Sequence, residues 1–229
     1  MKVDALGFLL HLYYGARVSG IMEYLLTYYD RGFSGNPADA GNDRTYSLDA
    51  LPQEYPQAGA GDYRSAALVI RNADGSEYCD LRYVSHEIKR GKYALKGLPA
   101  VYAADDEAET LEITLEDPVG GVLVRLWYGV LEEDDIITRS AEIRNTGSDP
   151  ICVEKASSAC LDLISGDYDF ISFYGRHAME RNFQRTPAAH GCQMIGSRRG
   201  TSSHQYNPAV ILAEKHATED AGSCYGMVF

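Results

Sequence analysis

Long apolar runs are missing from this chain. It contains no stretch of about 18 consecutive apolar residues, the length a helix needs to cross a bilayer. No basic-then-apolar leader opens it either. Both absences argue against a membrane partner, and the expected location is the cytoplasm. Basic charge is scarce too: 21 Lys and Arg face 33 Asp and Glu, for a net charge of −12. Nucleic-acid binding rests on neutralising phosphates with a basic surface, so nucleic acid is not an expected partner. Paired cysteines are also lacking. The five thiols, Cys79, Cys152, Cys160, Cys192 and Cys224, are odd in number and widely spaced, with no CxxC and no histidine cluster beside them. They read as reduced, buried thiols, and neither a metal nor a cofactor is expected.

Helical periodicity is equally thin. The best case places Ile21, Leu25 and Tyr28 on one face, which predicts a short helix over Ile21–Tyr29 after Gly20. Tryptophan occurs once, at Trp127, against 17 tyrosines. Tyrosine joins an apolar ring to a polar tip, which suits half-buried strand faces and sugar-contacting surfaces; the strand reading is the simpler one.

Alternation fills the rest of the chain. Leu111, Ile113 and Leu115 alternate with Thr and Glu between Thr110 and Glu116. Val122, Val124, Leu126, Tyr128 and Val130 do the same on the next segment, followed by Ile137, Arg139, Ala141 and Ile143. Further strands are expected at Phe8–Tyr14, Ala66–Arg71, Tyr78–Val84, Ile151–Leu163, Phe170–Tyr174, Pro208–Ala213 and Tyr225–Phe229, with a hairpin turn at "NADG" (Asn72–Gly75) and a turn at "NTGSDP" (Asn145–Pro150). Many short strands without alternating helices predict an all-β fold, a large antiparallel β-sandwich of residues 1–229 as a single domain. A long irregular loop, Asp30 to Gly61, is rich in turn residues, and its aromatics and paired charges favour order. The chain starts almost in a strand and ends in one at "YGMVF", which reads as a fragment of a longer protein.

Three groups of residues could carry chemistry. Five arginines, Arg176, Arg181, Arg185, Arg198 and Arg199, share a segment with one acid, Glu180, and no lysine. Arginine's planar fork pairs with carboxylates across an interface or with sugar and phosphate oxygens. His204 in "SRRGTSSHQYNP" could act as a general acid or base, but neither GxSxG nor HExxH accompanies it, and a hydrogen-bonded turn histidine is the simpler reading. The turn-rich segment Tyr28–Arg64 packs two Asp-Arg pairs and "QEYP" together, an arrangement able to bind a polyol through fixed hydrogen bonds. Glycoside hydrolysis needs two carboxyl groups on either side of the scissile bond. The acidic runs Asp105-Asp106-Glu107 and Glu132–Asp135 read instead as solvated faces or turns.

In order along the chain, "LLHLYYG", "DRTYSLDALPQEYP", "LKGLPAVY", "EAETLEITLED", "ITRSAEIRNTG" and "SRRGTSSHQYNP" resemble the N-terminal domain of family 36 glycoside hydrolases, the bacterial α-galactosidases. The resemblance implies a β-supersandwich followed by a catalytic (β/α)8 barrel and a small C-terminal β-domain. It places the nucleophile and the acid/base aspartates on that barrel, so no catalytic residue is expected here. In tetrameric members a loop of this domain reaches a neighbouring subunit's pocket with an aspartate and an arginine. The matching substrate-binding residues are Asp30 and Arg44; the competing reading is a local pair that holds the loop. Arg176, Arg181, Arg198, Arg199 and His204 are then expected to face the barrel or a neighbouring subunit. Family members often carry Trp where this chain has His177, which puts a stacking role there in doubt. The implied function is the non-catalytic part of a retaining enzyme acting on terminal α-galactosides of the melibiose or raffinose type. The alternatives are a free-standing carbohydrate-binding module and, from a different class, a sugar epimerase built around His204 and a glutamate.

Overall fold

The computed structural model describes residues 1–30, 32, 35–163, 166–200 and 203–229. It divides into two compact units, Met1–Asp162 and Leu163–Phe229. Both are all-β and antiparallel, with helix confined among the described residues to single 3-10 turns. These are the elements the supersandwich reading calls for.

The first unit is built on a sheet in the order β4 (Arg82–Arg90), β5 (Glu109–Asp117), β6 (Val122–Leu131) and β7 (Ile136–Asn145), after β1 (Lys2–Val3), β2 (Leu9–Leu10) and β3 (Leu68–Arg71). Strict alternation on β5 and β6 turns Ile113, Leu115, Val122, Val124, Leu126 and Tyr128 to one face. The register sets Ile113 opposite Leu126 and Leu115 opposite Val124. β3 pairs with β8 (Cys152–Ala156), and Leu68 and Ile70 join the same core with Tyr55 and Cys79. Each fully buried side chain of this kind stabilises the fold by about 1.5–3 kcal/mol. On the opposite face a charge ladder crosses all four strands, from Lys89 to Glu112 to Arg125 to Glu142 to Arg144. β1 and β2 pair with each other, and a second core of Phe8, Leu10, Leu26, Tyr46, Leu48, Leu51 and Ala60 lies beside them. The long loop is therefore seated on buried apolar residues of its own.

The second unit is a sheet in the order β10 (Met179–Pro187), β9 (Tyr168–Arg176), β11 (Tyr206–Glu214) and β12 (Cys224–Val228). Arg185 staples it from within: its guanidinium donates to the Asp169 carboxylate at 2.6 Å and to the carbonyls of Ala217, Glu214 and Lys215 at 2.9 Å each.

Several expectations change in detail. The helical signal at Ile21–Tyr29 is realised as one 3-10 turn, Glu23–Leu25, because Leu26 alone there reaches a core while Ile21 and Tyr28 stay exposed. "NADG" does turn, through Gly75 N–H to the Asn72 carbonyl, but β3 pairs with distant β8, so no hairpin forms. β4 extends six residues beyond the expected Val84, and β10 was not expected at all. Of the thiols read as buried, Cys79 is so; Cys152, Cys192 and Cys224 are exposed, on the polar strand β8, on the loop after β10 and on edge strand β12.

Candidate functional site

The long loop presents Asp30 and Arg44 to solvent, with side chains 57% and 64% exposed. They face each other: Arg44 Nε and Nη2 both lie 3.1 Å from Asp30 Oδ1. That same oxygen accepts the backbone N–H of Gly32 at 2.7 Å. Among the described residues Asp30 Oδ2 and the outer edge of the guanidinium have no further partner, which sets an acceptor next to donors, the polarity that vicinal hydroxyls require. The two side chains form a local ion pair on the exposed loop. Arg31, Phe33 and Ser34, on either side of Gly32, lie outside the described residues.

Next to Arg44 the backbone is tightly held. The Asp43 carboxylate accepts the Thr45 N–H at 2.8 Å and its hydroxyl at 2.7 Å. Tyr46, buried, donates its phenol to Asp4 Oδ2 at 2.6 Å. Burial and the Asp4 carboxylate together push the Tyr46 phenol well above its ordinary pKa. Asp39 pairs with Arg82, whose guanidinium holds the Asp39 carboxyl below the usual carboxylate range.

Under the loop lies a buried ionic cluster that sequence reasoning missed. Glu54 Oε2 accepts from His11 Nδ1 at 2.8 Å, and Oε1 accepts from the Tyr128 hydroxyl and Arg139 Nη1, each at 2.8 Å. The Arg139 guanidinium also stacks 4.0 Å above the Tyr128 ring. Burial works to raise the Glu54 pKa, but the His11 hydrogen bond and the Arg139 charge overcome it and hold the carboxyl below its ordinary range. An ionised glutamate, 2% exposed and fully paired, has neither the proton nor the access that a glycosidase acid needs. Beside it Asp62 binds Gln53 Nε2 at 3.0 Å and Arg64, which also donates to the carbonyls of Leu48 and Leu51. These contacts pin the far end of the loop. Gly61 belongs to the same pinning: its φ is +98°, and a Cβ there would stand 2.4 Å from the Gly35 carbonyl oxygen. The sequence signal for this cluster is the motif "LPQEYP" itself, whose glutamate sits between buried Leu51 and Tyr55.

A cleft of about 360 Å³ opens beside the loop, lined by Asn36, Pro37, Gly61, Tyr63, Tyr78 and Asp80 among others. In the second unit a cleft of about 240 Å³ is lined by Ile195, Ser197, Gly200, Tyr206, Asn207 and Phe229 among others. No Asp, Glu or His side chain lines this second cleft among the described residues, so the structure does not bring His204 and a glutamate together there. Among the described residues no group of three His, Cys, Asp or Glu could hold a metal ion.

The arginine segment divides. Arg185 is consumed by the internal staple described above. Arg176 packs its guanidinium on Met179 Sδ at 3.1–3.2 Å. Arg181 sits at a bulge of β10 with φ +58°, a conformation L-residues rarely adopt. Arg198, Arg199 and His204 are exposed in the turns before β11. Among the described residues none of Arg176, Arg181, Arg198 and Arg199 forms a salt bridge. Tyr174 and Phe183 lie exposed on the same hairpin as Arg176 and Arg181. Thr201 and Ser202 of "SRRGTSSHQYNP" lie outside the described residues.

Residues 7–229 match the glycosyl hydrolase family 36 N-terminal domain. The chain is 64% identical over its whole length to the bifunctional α-galactosidase/sucrose kinase AgaSK of Mediterraneibacter gnavus, of which it covers 24%. It superposes on the galactosidase domain of AgaSK with a TM-score of 0.94, covering 99% of this chain and 31% of that one. A variant of the family 36 α-galactosidase AgaA from Geobacillus stearothermophilus, solved in complex with raffinose, is 42% identical with a TM-score of 0.93, over 99% of this chain and 32% of that one. The chain thus spans about a quarter to a third of the relatives it matches.

Proposed function

Because this chain belongs to the glycosyl hydrolase family 36 N-terminal domain family, we propose that it is the non-catalytic N-terminal domain of a retaining α-galactosidase acting on terminal α-galactosides of the melibiose or raffinose type. The exposed Asp30–Arg44 pair carries this reading. An acceptor and donors side by side stand on a loop whose base is packed on buried residues, as a wall of a sugar pocket requires. The likeness to a relative solved with raffinose supports the substrate class. In this reading the nucleophile and the acid/base belong to a catalytic barrel elsewhere in the protein. Asp30 and Arg44 reach a neighbouring subunit's pocket in a homo-tetramer, where the carboxylate accepts and the guanidinium donates to sugar hydroxyls. Arg176, Arg181, Arg198 and Arg199, with His204, face the barrel or a neighbouring subunit and meet acids there. The protein works in the cytoplasm.

The test is kinetic. In the full-length protein, Arg44→Ala and Asp30→Ala are expected to raise KM for raffinose about 10-fold or more, the effect of losing a charged hydrogen bond worth ~1.5–3 kcal/mol. The circular dichroism spectrum should not change, since both side chains are exposed. Unchanged KM in both variants would leave the pair as a local ion pair and overturn the reading.

A further inference from the structure

An exposed ion pair is screened by water and stabilises too weakly to hold both side chains in one sugar-binding geometry. Asp30 and Arg44 must therefore be placed by their backbone, and the backbone is clamped at two points near Arg44. One clamp lies five residues before it. Asp39 receives Arg82 Nη1 at 3.0 Å and Nη2 at 3.3 Å. Arg82 is itself fixed from below by Asp80, at 2.7 and 2.9 Å, and its guanidinium lies 3.8 Å above the ring of Phe8 while it donates to the Leu6 carbonyl. The other clamp lies two residues after Arg44, where the buried Tyr46 phenol donates to Asp4 Oδ2 at 2.6 Å. Asp4 Oδ1 in turn accepts the N–H groups of Leu6 at 2.9 Å and Phe8 at 2.8 Å.

Both clamps end on the same short turn, Asp4–Phe8, which closes through Asp4 N–H to the Phe8 carbonyl and Gly7 N–H to the Asp4 carbonyl. We propose that this turn is the seat of the substrate loop, with Asp4, Tyr46, Asp39 and Arg82 as positioning residues for Arg44 and its partner Asp30. The inference rests on the reading of that pair as a sugar contact. None of the four touches the sugar. Their hydrogen bonds set where the guanidinium stands before substrate arrives, so that its ordering cost is met in folding rather than in binding.

Two variants test it in the full-length protein. Tyr46→Phe removes one hydroxyl, and Asp39→Asn removes one charge from a side chain that is 55% exposed, so the second remains informative should the first fold poorly. Each is expected to raise KM for raffinose about 3- to 10-fold, part of what losing the arginine's own hydrogen bonds costs, with kcat within about twofold. Amide hydrogen exchange should quicken in the peptide spanning residues 38–46. Placed on top of Arg44→Ala, neither variant should raise KM further, because there is no guanidinium left to position; a generally destabilising change would add its effect in both backgrounds. If Arg44→Ala raises KM while Tyr46→Phe and Asp39→Asn do not, the positioning role is overturned and the sugar contact stands. If Arg44→Ala has no effect the positioning role falls, and if Asp30→Ala has none either, the sugar contact falls with it.

Discussion

Replacing Glu54 by glutamine removes one negative charge from the most deeply buried ionic cluster and almost no volume. The carboxylate accepts from His11, Tyr128 and Arg139, all at 2.8 Å. Summed as independent charged hydrogen bonds, these would be worth about 4.5–9 kcal/mol, but they share one acceptor and do not add. The relevant comparison is a buried pair that loses one partner, about 3–5 kcal/mol. Glutamine keeps an amide oxygen that can still accept from Arg139 Nη1, which favours the lower end. The Nε and Nη2 of Arg139 already lack partners, which leaves it no alternative counter-charge among the described residues. A loss of about 3 kcal/mol should lower the urea midpoint by about 1.5 M for a slope near 2 kcal/mol per M. Trp127 is the single tryptophan of the chain and stands on β6 opposite Ser140, next along β7 from Arg139, so its fluorescence follows the first unit. The pH dependence supplies the second arm. The folded-state pKa of Glu54 is depressed, so its contribution is fully present above the unfolded value of about 4.3 and is lost as pH falls through the folded value. Wild-type and Glu54→Gln midpoints should therefore draw together below about pH 4. A loss under about 1 kcal/mol at pH 7, or a gap unchanged by acid, would refute the cluster's role as a charge-stabilised anchor.

Under native conditions at pH 8, Cys152, Cys192 and Cys224 should react promptly with a thiol reagent, while Cys79, whose thiol burial pushes up to about 12, should react only on unfolding; prompt labelling of Cys79 in a mass-mapped digest would contradict the first core. Arg185→Met should destabilise the second unit by about 2–4 kcal/mol through lost charged hydrogen bonds, with faster amide exchange in β9 and β11 as the readout. Trp127 fluorescence unfolding, which reports the first unit, is expected to move less than exchange in β9 and β11.

Legibility followed burial. β5 and β6 stand almost where alternation put them, because each has one face in the core and one in water and the pattern must follow. The polar end of β4, "SHEIKR", and the whole of β10, "MERNFQRTP", carry no such pattern. Both are edge strands whose extended backbone is dictated by their neighbour's hydrogen bonds rather than by their own burial. The site divides in the same way. Asp30 and Arg44 were singled out by resemblance through the motifs that flank them, and the fold joins them in one exposed ion pair. His11 and Arg139 meet Glu54 across 43 and 85 residues of chain, a convergence that only tertiary folding creates. The apolar seat of the loop was hidden for a related reason: Tyr46, Leu48 and Leu51 lie too irregularly for either a helical or a strand period, yet all are buried.

In the proposed function this chain shapes a galactoside pocket without performing the chemistry. The most direct measurement is hydrolysis of an aryl α-galactoside by the 229-residue chain alone, beside the full-length protein under the same conditions. The full-length protein is expected to release the aryl group and the chain none above background. Turnover by the chain approaching that of the full-length protein, and abolished by substituting one of its own acids, would contradict the proposal.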